Sequence, residues 1–149
     1  YQKNEIFKIL KRTASILEMN VQDDALTEIA GRSRGTPRIA NRVLKRVRDF
    51  AQVKNVKEIS LEDARSSLDS IGIDENGLEN MDRKILKNLI VNYNGGPTGG
   101  KSLAISINED IQTIEDVYEP YLIKKGFIER TSRGRIATDK AFALFDLKK

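Results

Sequence analysis

Apolar residues recur at helical spacing from residue 4 to about residue 126, and alternating spacing appears only in residues 127–138, around a Gly-bearing turn. These two observations predict a mainly α protein with one short β-hairpin near its end. A third, the polar run Asp74-Glu75-Asn76-Gly77, predicts a break between residues 1–75 and residues 76–149. The size of 149 residues, with 39% hydrophobic and 32% charged side chains, fits one domain or two small ones. A net charge of +4 and a pI near 9.3 lean towards a polyanionic partner. Without cysteine or histidine, disulfides, thiolate chemistry, zinc sites and histidine-based catalysis are excluded. No apolar run approaches the roughly 20 residues of a membrane span, so no membrane partner is expected. No signal peptide is visible, and the start Tyr1-Gln2-Lys3 lacks a methionine, as expected of a piece of a longer protein.

The first part reads as four helices. The first runs from about Asn4 to Glu18, with Ile6, Ile9, Leu10, Ala14 and Leu17 inward. The second is capped by Asp23, buries Ala25, Leu26 and Ile29, and stops at Gly31. In the third, Thr36 offers a capping hydroxyl and Pro37 takes the first helical position, where its missing N–H costs nothing. Its stripe of Ile39, Val43, Leu44, Val47 and Phe50 faces inward, and it ends near Val53. The fourth opens with Ser60-x-x-Asp63, close to a capping box, and buries Leu61, Ala64 and Leu68. No β signal is seen in this part.

Arg38 follows Pro37, so its guanidinium lies beside the positive end of the third helix. That pairing is suited to holding a phosphate. Arg42, Lys45, Arg46 and Arg48 add positive charge further along. A plain solvated basic face is the commoner explanation of such residues, and the local arrangement alone does not overturn it.

The second part begins with a helix from about Asn80 to Asn92, its inward residues Met81, Ile85, Leu86, Leu89 and Ile90. A Gly-rich loop leads to a short helix around Leu103 to Ile107. Thr113 is the expected cap of the next helix, which carries Ile114, Val117, Tyr118, Tyr121 and Leu122 to Gly126. Pro120 within it predicts a bend. Phe127-Ile128-Glu129-Arg130 and Arg135-Ile136-Ala137-Thr138 then flank the turn Thr131-Ser132-Arg133-Gly134, and a closing helix spans Lys140 to Leu147. Three helices followed by a hairpin make a winged helix, in which the third helix approaches a groove and the wing touches the backbone. Arg130, Arg133 and Arg135, on and beside the hairpin tip, are the candidate DNA contacts. A solubilising turn is the alternative. Ile114, Glu115, Asp116 and Glu119 are a poor set for reading bases, which lowers the reading as a sequence-specific winged-helix transcriptional regulator with a helical oligomerisation domain.

Gly95 to Ser102 satisfies the phosphate-loop pattern G-x-x-x-x-G-K-[ST], which on pattern alone would place Lys101 on phosphates and Ser102 on magnesium. Such a loop must join a buried strand to a helix. Here a helical pattern precedes it and too little chain follows to build a parallel sheet, so the glycines and Pro97 are expected to serve a turn.

Taken as a set, GTPRIANRVLKRVRDFA (Gly35 to Ala51), ENMDRKIL (Glu79 to Leu86), YNGGPTG (Tyr93 to Gly99), TIEDVYEPYLIKKGFIERT (Thr113 to Thr131) and RGRIAT (Arg133 to Thr138) resemble the RuvB family. These are bacterial Holliday-junction branch-migration motors, hexameric AAA+ ATPases. The resemblance runs from Tyr1 to about Phe145. It implies a mainly α architecture: a four-helix AAA+ lid domain, then a winged-helix domain with a short β-hairpin wing. The large ATPase domain with its Walker motifs would precede Tyr1. It also implies that the accidental Walker match at Gly95 to Ser102 carries no function.

By the same resemblance Arg38 matches the sensor arginine that reaches nucleotide phosphates from the lid, and Tyr1 an aromatic beside the bound nucleotide. Arg130 and Arg135 match wing residues implicated in DNA contact, with Arg133 between them. No catalytic residue and no metal ligand is implied within this chain. The implied cofactors are ATP and Mg2+ in the intact protein, with none expected bound to this piece, which alone is expected to be inactive. The implied partners are double-stranded DNA or a Holliday junction, RuvA, RuvC and the other subunits of a homohexameric ring, in the cytoplasm. Two positions depart from the family pattern. Ser132 replaces the usual proline, predicting a looser tip, and Ile111 replaces an arginine that helps many relatives bind DNA.

Overall fold

The computed structural model describes residues 1–147, which divide into a unit of Tyr1–Glu79 and a second unit beginning at Asn80. The chain is mainly α, with a single two-stranded antiparallel hairpin among the described residues.

In the first unit, α1 (Lys3–Ile16), α2 (Asp23–Gly31), α3 (Pro37–Val53) and α4 (Leu61–Ser70) enclose one core. Ile6, Leu10 and Ala14 of α1 meet Leu26 and Ile29 of α2, Val43, Leu44 and Val47 of α3, and Ala64 and Leu68 of α4. These positions fall on the helical stripes, because a surface helix is held by burying one apolar face. Ile9, Leu17, Ile39, Phe50 and Leu61, expected inward, sit half-buried at its margin.

The caps depart from expectation in two places. Gln22 occupies the cap position of α2, and Asp23 is the first helical residue, where its charge meets the positive helix end. Thr36 occupies the cap position of α3 without capping it; its hydroxyl turns back to the Arg34 carbonyl at 3.4 Å. The box at α4 forms as expected. The Ser60 hydroxyl accepts from the Asp63 N–H at 3.2 Å, and the Asp63 carboxylate accepts from the Ser60 N–H at 3.0 Å. The absence of β structure in this part is corrected by one isolated parallel bridge, Val21 to Ile59.

Arg32, just past α2, is buried. Its guanidinium donates to Glu28 one turn back (3.0 and 3.1 Å), to Asp69 of α4 (3.2 Å) and to the Ile73 carbonyl (3.0 Å). It therefore ties the end of α2 to the end of α4.

In the second unit, α5 (Asn80–Tyr93) and α6 (Gly100–Ile107) are followed by a composite third helix: α7 (Ile111–Thr113), a π turn (Ile114–Tyr118) and α8 (Glu119–Lys124). Asp110, not Thr113, caps it, its carboxylate accepting from the Thr113 N–H at 3.1 Å. The bend expected from Pro120 takes the form of the π turn just before it. A proline lacks an N–H and crowds the carbonyl four residues back, and a wider turn relieves both. The wider turn also shifts the phase, so Ile114, Tyr121 and Leu122 are buried as expected while Val117 is exposed.

Strands β1 (Ile128–Thr131) and β2 (Gly134–Ala137) pair antiparallel, with Arg130 opposite Arg135 and Thr131 opposite Gly134. Ser132 and Arg133 form the tip. The Thr131 hydroxyl braces it, accepting from the Arg133 N–H at 3.2 Å and donating to the Gly134 carbonyl at 2.9 Å. The closing helix α9 covers Asp139–Leu144, with Thr138 as its cap.

Candidate functional site

The wing is held from behind by the Gly-rich loop. Thr98 and Arg135 exchange both backbone hydrogen bonds (2.8 and 3.0 Å), and the Ala137 N–H donates to the Gly95 carbonyl at 2.8 Å. The loop thus lies along the outer edge of β2 as a third, one-bridge strand. This close approach explains its glycines. A Cβ on Gly96 would stand 2.2 Å from the Arg135 carbonyl oxygen, and one on Gly134 2.4 Å from that of Thr98. The Walker-like pattern is therefore a backbone docking site for the wing. It follows helix α5 rather than a buried strand.

The three wing arginines meet different fates. Arg133 is exposed at the tip. Arg130 is 54% exposed, its Nη1 lying 3.9 Å from a Glu119 oxygen. Arg135, expected to stand exposed on the wing, is instead buried, at 5% exposure. Its Nε donates to Glu119 Oε1 at 2.5 Å and its Nη2 to Glu115 Oε1 at 3.0 Å. Burial opposes the charged guanidinium. The hydrogen bonds and charges of Glu119 and then Glu115 outweigh that cost and raise the Arg135 pKa above its ordinary value.

Strand alternation is the physical reason. Arg135 shares its face with Ala137 and, across the ladder, with Ile128 and Arg130; Ile128 and Ala137 are buried against the helices. Arg135, one residue from the tip pair on that face, turns inward onto the carboxylates of the third helix, while Arg130 opposite it stays half exposed. Two arginines directly opposite on one face repel. Glu119, 1% exposed, lies within ion-pair distance of both and offsets this.

Glu115 and Glu119 are the members of this cluster that sequence reasoning missed. Taken singly in the sequence they are only poor base-reading groups. Their spacing of four on a helix facing two wing arginines was the available signal. Ile111 is half-buried. Its δ-methyl and the Arg135 Nη1 converge on the face of Gly100, where a Cβ would meet them at 2.7 and 2.6 Å.

In the first unit, Arg38 is exposed in the first turn of α3, which has no side-chain cap. Arg34 and Gly35 before it both adopt left-handed backbone (φ 60° and 67°), which throws the chain sharply into the helix. Tyr1 is 72% exposed. The described residues contain no cluster of three acidic, Cys or His side chains able to hold a metal ion. No helix among them is long and apolar enough to cross a membrane.

The fold and site are those of a helical bundle whose longest helix opens on Gly-Thr-Pro-Arg, followed by a winged helix with an arginine-bearing wing. Residues 1–74 match the RuvB AAA lid domain, and residues 75–146 match the RuvB C-terminal winged helix domain. The chain belongs to the RuvB family. It is 50% identical over 145 residues to the Holliday junction branch migration complex subunit RuvB of Fusobacterium nucleatum, covering 97% of this chain and 44% of that one. The subunit from Chlorobaculum parvum is 54% identical over the same share of this chain and 42% of its own. Among solved structures, the Thermotoga maritima RuvB Holliday junction branch migration motor superposes with a TM-score of 0.96 at 44% identity, over 100% of this chain and 50% of that one. The chain thus spans less than half the length of these curated relatives. The matches favour the motor family over a transcriptional regulator.

Proposed function

We propose that this chain is the lid and DNA-gripping part of an ATP-driven motor that moves Holliday junctions by branch migration in recombination and repair. The observation that carries this reading is the wing. It is a short hairpin braced on one edge by a glycine loop and at its tip by Thr131, and it presents Arg130 and Arg133 to solvent. Guanidinium groups on a rigid ribbon suit the phosphates of a duplex, and they position without reading sequence.

In the lid, Arg38 at the uncapped start of α3 has the charge and the helix end to meet a terminal phosphate. Tyr1 supplies an exposed aromatic surface for the nucleotide. ATP, when bound to the whole motor, supplies the free energy of phosphate-bond hydrolysis. What this chain contributes is a cation whose hold on the phosphate depends on whether the terminal group is present, so its loss would let the lid turn. Magnesium would be held by residues outside this chain. By itself the chain is expected to hydrolyse no ATP. Its partners in the cell would be the Holliday junction, the other subunits of a homohexameric ring, RuvA and RuvC, in the cytoplasm.

The test is fluorescence anisotropy of this chain with unrelated duplexes across salt concentration. Binding that ignores sequence and weakens steeply with salt is the expected result. A single duplex preferred by about a thousandfold would replace this reading with that of a sequence-specific regulator.

A further inference from the structure

We infer that Lys101, the lysine of the Walker-like pattern, is a contact to the DNA backbone: it stands between the second strand of the wing and the start of the third helix, and grips a phosphate beside those held by the wing. The inference deepens the reading of this unit as a DNA-gripping part and rests on it.

Three observations carry it. First, the loop before Lys101 cannot cradle a nucleotide phosphate. The N–H groups of Gly95, Gly96 and Thr98 donate to the carbonyls of Leu89 (2.9 Å), Tyr93 (2.9 Å) and Arg135 (3.0 Å), and Pro97 has no N–H. A lysine at the end of such a loop lacks the nest that would hold a nucleotide against it. Second, the same hydrogen bonds fix where Lys101 sits. Thr98 is bridged to Arg135 of β2, and Gly100 turns its bare Cα to the Arg135 guanidinium, where a Cβ would fall 2.6 Å from Nη1. Lys101 follows directly, in the first turn of α6, and lines one open groove with Ile111, the first residue of the third helix. In a winged helix the third helix and the wing are the elements that approach DNA, and Lys101 lies beside both. Third, Lys101 is exposed and makes no hydrogen bond or ion pair among the described residues. Its groove also holds Glu109 and Asp110, but each carboxylate is committed to backbone, Glu109 to the Asp110 N–H at 2.9 Å and Asp110 to the Thr113 N–H at 3.1 Å. A cation in the first turn of a helix also opposes the helix dipole. The charge therefore does not serve α6 and remains available to a phosphate.

The test is the salt dependence of duplex binding, by anisotropy. Lys101→Met keeps most of the stem and removes the charge; Lys101→Arg keeps the charge. Arg130→Ala and Arg133→Ala report the wing. Lys57→Met, at an exposed lysine of the first unit, reports the bare effect of losing one positive charge. Circular dichroism checks that each variant is folded, and magnesium–ATP binding is followed alongside.

Lys101→Met is expected to make the log–log salt slope shallower by about 0.9, the worth of one phosphate contact, and to weaken unrelated duplexes by the same factor. Lys101→Arg and Lys57→Met should keep the wild-type slope. A wild-type slope for Lys101→Met, while Arg130→Ala lowers it, overturns the inference and leaves the wing's role intact. So does a Lys57→Met slope that falls as far, because the loss is then one of net charge alone. Magnesium–ATP binding that Lys101→Met abolishes overturns it too, by giving the lysine to a nucleotide. If Lys101→Met lowers the slope and neither arginine variant does, the lysine contact stands and the wing reading fails. If none of the three lowers it, both fall.

Discussion

Each unit of this chain holds one buried arginine between two carboxylates, and the two are built differently. In the lid, Arg32 shares Glu28 with Arg65, which lies 3.5 Å from the same oxygen, and its second partner, Asp69, is 71% exposed. In the winged helix, Arg135 faces Glu119, which water does not reach. The first arginine closes a helix end whose partners can fall back on solvent or on another cation. The second holds a carboxylate closed off from solvent, with Arg130 at 3.9 Å as a more distant second cation. Similar ion-pair inventories thus describe a replaceable tie in one unit and a committed one in the other, and the exposure of the partner decides which.

The sharpest way to break this comparison is to truncate both arginines. Arg135→Ala should cost about 3–5 kcal/mol in urea unfolding, because it leaves a buried carboxylate without its main partner. Arg32→Ala should cost about 1–3 kcal/mol, the loss of hydrogen bonds to charged groups that water can replace. Equal losses would mean that partner exposure does not set the difference. The glycine loop sharpens the same point through the backbone. Gly134→Ala should cost about 1–3 kcal/mol, since φ is +130° and the new Cβ meets the Thr98 carbonyl. Gly99→Ala, with open space around it, should stay within about 0.5 kcal/mol in the same assay.

Caps give a smaller effect within the lid. Ser60→Ala should lower stability by about 1 kcal/mol, whereas Thr36→Ala should change it by less than about 0.5 kcal/mol because that hydroxyl caps nothing. The smallest expected effect is with pH. The folded-state pKa of Arg135 lies above its ordinary value, so its contribution is fully present below that ordinary value and is lost only as pH rises through the higher one. Urea midpoints of wild type and Arg135→Gln should therefore differ by the same amount at about pH 7 and pH 10.

Much of the fold was legible because helical periodicity is strong wherever a helix buries one face, as in Ile6, Leu10 and Ala14 or Ile85, Leu86 and Leu89. Local chemistry was less so. Asp110 and Thr113 are both good capping residues three apart, and only the structure shows which side chain accepts. Val117 was placed inward because a uniform 3.6-residue period was assumed through a stretch that contains a π turn. The charge of Arg135 argues for an outward position and its parity with Ala137 and Ile128 for an inward one; Arg130 shares that parity and stays half exposed, so the pairing with Glu119 decides. The acidic residues that receive it lie on another element, and their spacing of four on the third helix is the one sequence hint of the pair. Arg38 and Arg133 are exposed, as their patterns implied.

The π turn at Ile114–Tyr118 has a consequence for how this region can change in length. Its wide ring closes from the Glu119 N–H to the Ile114 carbonyl and accommodates one residue more than an α turn. Deleting a single residue there, such as the exposed Val117, would restore a plain α turn with little rotation of Glu119 about the helix axis, because five residues of a π turn and four of an α turn sweep nearly the same angle. Glu115 and Glu119 would then stand three apart, still on one face. Loss of one residue should therefore be tolerated better in this turn than in the middle of a regular helix such as α5, where it turns every later side chain by about 100°.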